Sequence, residues 1–385
     1  MPMLSLGGMR FQQSWKDLKP FEILSENQKQ LELILNKAVS LGIHHIETAR
    51  HYGSSELQLG TALKEIPDPN RLIQTKVPPS DDPKIFEIEL ATSFEKLKLD
   101  KIDLLAIHGI NLPEHLDQTV RQGGCLDVAK RWQAEGKIGH IGFSTHGPTS
   151  LIVRTIETGE FDYVNLHWYF IRQDNDLALD AAMKFDLGVF IISPTDKGGH
   201  LHTPSNTLID LCEPIHPIIF NDLFCLRDRR IHTLSFGASK IEDFQFHLDA
   251  IELLDKSHEL LPSIESRLLD AANLALGNEW IATWDKGLPR WEETPGKMNL
   301  PILLWLHNLI EAWGMNNYAA ARYGLLGNGG HWFPGSNADC LDKEIREDVL
   351  KEALCNSPWK NDIPDLLRNL RKKVGGDSRH RLSNA

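Results

Sequence analysis

The chain has 385 residues, of which 41% are hydrophobic and 24% charged, and its net charge is −12. This length and composition suit one large globular domain with a smaller one, and the negative charge argues against a general nucleic-acid surface, which needs a clustered basic face. The first residues lack the pattern of a secretory signal, and no run approaches the roughly 18 apolar residues of a membrane helix. The five cysteines are scattered and without CxxC spacing. We therefore expect a soluble, cytoplasmic protein with reduced thiols and no membrane span.

Short β-branched runs alternate with longer amphipathic segments along residues 1–255. The predicted strands are residues 5–9, 44–49, 72–77, 102–108, 139–145, 163–169, 188–194 and 232–237. Helical segments between them include residues 27–41, 84–99, 125–135 and 176–185. Eight strands, each followed by a helix or a segment of helical length, favour a parallel sheet with right-handed crossovers. Eight is also the number that closes a (β/α)8 TIM barrel, which is the predicted α/β fold.

Three successive predicted strands deliver polar side chains at their carboxyl ends. The first ends in Glu47 and runs into a loop that carries Tyr52, the second ends near Lys76, and the third ends in His108. These ends meet on one face of a parallel barrel, so the four side chains can come together there. Each alone has a structural explanation: a turn tyrosine, an ion-paired lysine, a core histidine. Their conjunction indicates a catalytic site.

The order and spacing of these residues resemble the aldo-keto reductases, whose motif here is strand-Asp-Thr-Ala-x-x-Tyr-Gly, then strand-Lys, then strand-His. This chain has Glu47-Thr48-Ala49-Arg50-His51-Tyr52-Gly53. The stretch from Gly136 to Ser144 and the run Phe236-Gly237-Ala238-Ser239 are similar to two further family signatures. The resemblance covers about residues 1 to 255. It implies that the protein uses NAD(P)H to reduce a small aldehyde or ketone to an alcohol.

The resemblance also implies a role for each polar residue. Tyr52 would donate a proton to the forming alkoxide, and the Lys76 ammonium would favour the ionised form of the phenol. Glu47 would hold Lys76 in place, and His108 would orient the substrate carbonyl. The family has Asp where this chain has Glu47, so the carboxylate lies one methylene further from the backbone.

No GxGxxG motif follows a predicted strand, so a Rossmann nucleotide site is not indicated. The same resemblance implies that the dinucleotide lies over the barrel mouth. The residues expected to bind the cofactor are Gly8, Met9, Ser144, Asn165, Ser193, Pro194, Gly237, Ser239 and Lys240. Ser144 and Asn165, which replaces the more usual Gln, would bind the nicotinamide carboxamide. NADPH is favoured over NADH, although Asp243 stands where an arginine is common and would repel a 2′-phosphate. The histidines show no metal-ligand spacing, so no metal is expected.

Beyond residue 255 the strand pattern stops, and residues 256–385 are predicted to form a mostly α-helical domain. Its tryptophans, expected to fill the core, include Trp280, Trp284, Trp291, Trp305, Trp313, Trp332 and Trp359. Residues 287–301 resemble the ferredoxin-like iron–sulfur extension of some aldo-keto reductases. Thr294 stands in a ligand position of that extension, and Cys340 alone remains in the second half. Because a cluster needs four protein ligands, we expect a degenerate domain without one.

Two alternatives remain open at the level of sequence. The barrel could bind NADP(H) with little turnover as a regulatory or scaffold protein, and its second domain could bind an unknown protein partner. An iron–sulfur electron-transfer enzyme is a third, weaker hypothesis. The aromatic loop at residues 167–173 either lines the pocket for a partly apolar carbonyl compound or packs against the second domain.

Overall fold

The computed structural model describes residues 1–328 and 333–375, so Trp332 lies outside the described residues. Eight parallel strands form a closed barrel in which the first strand pairs with both the second and the last. The strands are β1 (Leu4–Gly7), β2 (His45–Glu47), β3 (Leu72–Val77), β4 (Ile102–His108), β5 (Ile138–Ser144), β6 (Tyr163–Leu166), β7 (Gly188–Ile192) and β8 (Thr233–Phe236). The predicted TIM barrel is confirmed, with strand limits that differ by at most three residues.

Helices alternate with the strands and continue beyond the barrel. They are α1 (Ser25–Ser40), α2 (Ser55–Glu65), α3 (Pro83–Leu97), α4 (Pro113–Val120), α5 (Cys125–Ala134), α6 (Thr149–Ile156), α7 (Asp176–Lys184), α8 (Asn206–Cys212), α9 (Pro217–Leu226), α10 (Gln245–Leu253), α11 (Ser257–Leu276), α12 (Asn278–Thr283), α13 (Leu300–Trp313), α14 (Asn316–Tyr323), α15 (Glu347–Ala353) and α16 (Ile363–Val374). Short 3-10 turns occupy Pro20–Glu22, Ile241–Phe244, Leu254–Lys256, Trp291–Glu293, Pro295–Lys297 and Ala338–Cys340. The predicted helical character of the C-terminal region is confirmed.

The described chain divides by its contacts into two compact units. The first comprises Met1–Gly198 and Asn221–Ser257, and the second comprises Gly199–Phe220 together with the described residues from 258 onward. The segment between β7 and β8 therefore contributes residues to both units.

The barrel strands separate apolar from polar side chains by their alternation. In β2, Ile46 joins the large apolar core, whereas its neighbours His45 and Glu47 are buried polar residues. The His45 ring lies edge-on to Phe190, with 5.6 Å between ring centroids, and Phe190 belongs to a small separate apolar cluster with Tyr163. The barrel therefore has an apolar outer layer and an interior that mixes aromatic and hydrogen-bonded polar groups.

The second unit has its own apolar core, drawn mainly from α12, α13, α14 and α16. Trp280 is buried there; its indole nitrogen donates to Asn308 Oδ1 at 2.7 Å, and its ring meets Trp359 at 5.1 Å. The remaining described tryptophans of the unit are half-buried. The prediction that tryptophans fill this core therefore holds for the buried Trp280, and in part for the half-buried Trp284, Trp305 and Trp359, which pack against the core.

The segment that resembles a ferredoxin-like extension is closed by hydrogen bonds in this chain. The Thr294 hydroxyl lies 2.7 Å from the Trp291 carbonyl and 2.5 Å from the Met298 carbonyl. A Cβ on Gly296 would lie 2.8 Å from Cys340 Sγ, so this thiol packs tightly against the turn. Within the described ranges, no group of three or more His, Cys, Asp or Glu residues is arranged to hold a metal ion. The degenerate ferredoxin-like origin stays a prediction.

Candidate active site

The four predicted catalytic residues converge at the carboxyl ends of β2, β3 and β4. Lys76 Nζ donates a short hydrogen bond to Glu47 Oε1, and it lies 3.0 Å from the Thr48 carbonyl and 3.5 Å from the Tyr52 hydroxyl. The His108 ring lies edge-on to the Tyr52 ring, with 5.7 Å between centroids. The ammonium therefore lies between a carboxylate and a phenol, with an imidazole beside the phenol.

This charge pair is almost inaccessible to water, since Lys76 is 1% exposed and Glu47 is 4% exposed. Burial alone lowers the pKa of Lys76, but the Glu47 carboxylate and the Tyr52 oxygen outweigh it and raise that pKa above its ordinary value. The ammonium form is therefore stable throughout the physiological pH range. A buried cation next to a phenol favours negative charge on the phenol oxygen.

Tyr52 is held by the loop that follows β1. Gly53 has φ of 56°, and a Cβ at this position would lie 2.0 Å from the Ser14 carbonyl oxygen. That carbonyl accepts a hydrogen bond from the Ser54 amide at 2.9 Å. The Trp15 ring meets the Tyr52 ring edge-on at 6.2 Å. A glycine is therefore required beside Tyr52, because both the backbone angle and the close approach exclude a side chain.

An ion-pair cluster behind Tyr52 was not predicted from the sequence. Arg50 pairs with Asp17 of the β1 loop and, through Nε at 2.7 Å, with Glu89 of α3. Lys96 of α3 also pairs with Asp17. These contacts tie the β1 loop to the Tyr52 loop and to α3. Nothing in the spacing of these residues along the sequence indicates that they meet.

Asn165 has partners other than the predicted nicotinamide. Its amide nitrogen lies 3.4 Å from Glu47 Oε2, and its amide oxygen accepts from Gln74 Nε2 at 2.8 Å. Both the donor side and the acceptor side of this amide are therefore engaged inside the barrel. Gln74 was not predicted as a site residue, although its position two residues before Lys76 in β3 places both side chains on the same face.

The other residues predicted around the nicotinamide lie at the barrel mouth. The buried Gly8 donates its amide to the Glu47 carbonyl at 2.7 Å, and the adjacent Met9 is exposed. The Ser144 hydroxyl oxygen accepts from the Gly109 amide at 3.1 Å, which leaves its proton available to an acceptor. Gly8 and Ser144 therefore lie at the ends of β1 and β5, next to the strands β2 and β4 that carry Glu47 and His108.

Ser193 and Pro194 form a tight turn after β7. Ser193 has φ of 54°, its amide donates to the Ser235 carbonyl of β8 at 3.0 Å, and the Pro194 carbonyl accepts from Asn221 at 3.1 Å. The turn is thus fixed to β8 by one backbone hydrogen bond and to α9 by the side chain of Asn221.

The loop after β8 is predicted to meet the adenosine end of the cofactor. The carboxylate of Asp243 accepts hydrogen bonds from this loop. Asp243 Oδ2 accepts from the Ser239 amide at 2.8 Å, from the Ser239 hydroxyl at 3.1 Å and from the Lys240 amide at 3.3 Å. The Arg10 guanidinium reaches Ser239 Oγ at 3.3 Å, and a Cβ on Gly237 would lie 2.7 Å from Arg10 Cδ. Asp243 therefore already engages the backbone donors that an anion would use here.

The aromatic loop after β6 packs within the first unit. Tyr169 is completely buried, and its hydroxyl lies 2.7 Å from His167 Nδ1. Trp168 is also buried and stacks on Phe224 at 4.7 Å between centroids. These two rings therefore belong to the apolar core of the first unit.

Several solved structures share this fold at low sequence identity. An aldo-keto reductase from Bacillus halodurans in its holo form is 17% identical, with a TM-score of 0.57, over 69% of this chain and 91% of its own. A glycerol dehydrogenase from Gluconobacter oxydans is 17% identical, with a TM-score of 0.56, over the same shares. A thermostable aldo-keto reductase solved with the inhibitor epalrestat is 20% identical, with a TM-score of 0.57, over 69% of this chain and 95% of its own. No curated protein sequence matches the chain.

No helix in the described part of the chain is long and apolar enough to cross a membrane. The family model for the aldo/keto reductase family matches residues 3–202, which is more than half of the 385 residues. This chain therefore belongs to the aldo-keto reductase family of oxidoreductases.

Proposed function

We propose that this protein is an NAD(P)H-dependent reductase that converts small aldehydes or ketones to alcohols. The observation that carries the proposal is the position of the Lys76 ammonium, which lies between the Glu47 carboxylate and the Tyr52 hydroxyl in a buried site. Family membership supports the oxidoreductase class, and the low identity of the solved structures leaves the substrate to be proposed from the site.

Four side chains have separate roles in the reduction of the substrate carbonyl. Tyr52 donates the proton to the oxygen of the substrate, and Lys76 stabilises the phenolate that this transfer leaves. Glu47 keeps the ammonium charged and in place despite its burial. His108, whose ring contacts that of Tyr52, donates a hydrogen bond that orients the carbonyl oxygen. Burial of the pair strengthens each of these electrostatic effects.

The hydrogen-bond donors at the barrel mouth suit a nicotinamide dinucleotide. The bound nicotinamide would supply the hydride. The free proton of the Ser144 hydroxyl suits the carboxamide oxygen, and the exposed Arg10 suits a phosphate of the nucleotide. NADPH and NADH both remain in the proposal, because Asp243 opposes a 2′-phosphate at the loop where the family resemblance places it, while Arg10 and Lys240 attract one.

A reducing compartment is part of the same proposal. All five cysteines are unpaired in the structure, and three of them, Cys125, Cys212 and Cys225, are buried. Unpaired thiols are typical of proteins in the cytoplasm.

The test is NADPH and NADH oxidation with a panel of small aldehydes, using the wild type and Tyr52→Phe, with nucleotide fluorescence titrations on both. Tyr52→Phe keeps the ring and removes the proton, so we expect binding to be retained and kcat to fall about 100-fold or more. The control is Phe21→Tyr, a change between the same two residue types on the exposed surface. Its kcat and nucleotide Kd should match those of the wild type. Nucleotide binding without turnover by the wild type would instead support the regulatory alternative.

A further inference from the structure

A line of buried polar side chains crosses the barrel interior and ends on Glu47. His45 Nε2 lies 3.1 Å from Gln74 Oε1, Gln74 Nε2 lies 2.8 Å from Asn165 Oδ1, and Asn165 Nδ2 lies 3.4 Å from Glu47 Oε2. All four side chains are buried, and they come from β2, β3 and β6. Buried amides that are fully hydrogen-bonded to one another fix each other's orientation.

The direction of every bond in this line is determined by its last member. A carboxylate only accepts, so Asn165 presents its nitrogen to Glu47 and its oxygen to Gln74. Gln74 then donates to Asn165, and its own oxygen accepts from His45 Nε2–H. Burial lowers the pKa of His45 from 6.5 to about 4, so the neutral ring carries a single proton, and this bond places it on Nε2. All three donors point toward Glu47.

Glu47 is thereby held through both of its oxygens. Oε1 accepts from Lys76 and Oε2 accepts from Asn165. β2 and β6 are not neighbours in the barrel, so these two side chains meet only by spanning its interior. Glutamate is one methylene longer than aspartate, and asparagine is one methylene shorter than glutamine. The combined reach of the two side chains decides whether they meet.

We propose that Glu47 and Asn165 form a length-matched pair across the barrel, and that Asn165, Gln74 and His45 are positioning residues for the Glu47–Lys76 pair. The inference rests on the proposed function for its catalytic consequence, since Lys76 acts on Tyr52. It assigns Asn165 to the catalytic carboxylate in place of the nicotinamide carboxamide.

The test is a double-mutant cycle of Glu47→Asp and Asn165→Gln, with Asn36→Gln on the exposed face of α1 as the matched control. Glu47→Asp withdraws the carboxylate from Asn165, and Asn165→Gln overfills the gap. The double variant restores the total length. We expect its folding constant and its kcat to exceed the values predicted from the two single variants by about tenfold, because coupled buried residues deviate from additivity by this order.

Nucleotide binding separates positioning from direct contact. We expect the nucleotide Kd of every variant to remain within about twofold of wild type, while kcat of each single variant falls about tenfold. Additive effects on folding and turnover would overturn the inference, and so would single variants with wild-type kcat. A nucleotide Kd raised about tenfold by Asn165→Gln alone would return Asn165 to the nicotinamide.

If Asn165→Gln does not fold, the isosteric Asn165→Asp replaces it in a cycle with Glu47→Gln, where relief of the carboxylate repulsion again predicts coupling, and additivity overturns the inference. If the wild type shows no turnover, the proposed function fails, while the folding cycle and the nucleotide Kd still decide whether the pair exists.

Discussion

Replacing His45 by glutamine should remove a specific acid sensitivity of the fold. The ring is buried inside the barrel, next to Gln74 and Phe190, and burial lowers its pKa from 6.5 to about 4 despite the nearby Glu47 and Asp103 carboxylates. Glutamine can donate the same hydrogen bond to Gln74, but it does not titrate. The variant therefore removes the titration of residue 45 while it keeps the hydrogen bond to Gln74.

The magnitude follows from the difference between the folded and unfolded pKa values of His45. Between pH 6.5 and 4 the unfolded chain takes up this proton more readily than the folded protein, so acid favours unfolding. The stabilisation is complete above pH 6.5 and is lost as the pH falls toward 4. A lowering to about 4 corresponds to about 2 kcal/mol of lost stability at pH 5 and about 3 kcal/mol at pH 4.

Urea unfolding of the wild type and His45→Gln at pH 7.5, 6 and 5 measures this loss. Burial also lowers the pKa of His51, His216 and His307, so both proteins lose some stability in acid. The wild type should lose about 2 kcal/mol more than the variant between pH 7.5 and 5. Equal losses in the two proteins would refute the burial argument for His45.

Gly53→Ala should destabilise the protein by more than about 2 kcal/mol in urea unfolding, because its positive φ and the Ser14 carbonyl exclude a Cβ; an unchanged midpoint would contradict this. A thiol reagent should modify the exposed Cys355 first in the native protein and should not reach Cys212, whose pKa burial raises to about 12; modification of Cys212 before unfolding, detected by peptide mass spectrometry, would count against the structure. Asp243→Asn should lower the Kd for NADPH by about tenfold and leave that for NADH within about twofold, since it removes a negative charge beside the proposed 2′-phosphate position; equal changes in both titrations would place that phosphate elsewhere.

The barrel could be predicted from the sequence because its strands are short β-branched runs with regular spacing. The convergence of Glu47, Tyr52, Lys76 and His108 was also predictable, since parallel strand ends share one face of a barrel. Those four positions depend on topology alone, and the structure brings them together as expected.

The partners of these residues could not be predicted in the same way. The contact between Asn165 and Glu47 spans 118 residues and depends on side-chain length and rotamer. The occupation of the β8 loop by Asp243 depends on how that loop turns into its helix. The membership of Gly199–Phe220 in the second unit depends on long-range packing that periodicity does not encode. Sequence patterns identify strand ends, whereas pairings between distant strands require coordinates.

Isotope transfer measures whether the proposed site delivers a hydride and a proton to a carbonyl compound. Nucleotide carrying deuterium at C4 of the reduced nicotinamide, prepared as both stereoisomers, is incubated with an aldehyde and the wild type or Tyr52→Phe, and the alcohol is analysed by mass spectrometry. With the wild type we expect one deuterium in the alcohol from one of the two stereoisomers, and with Tyr52→Phe we expect about 100-fold less labelled product. Equal labelling by both proteins, or unlabelled product from the wild type with both stereoisomers, would contradict the proposed hydride and proton transfer.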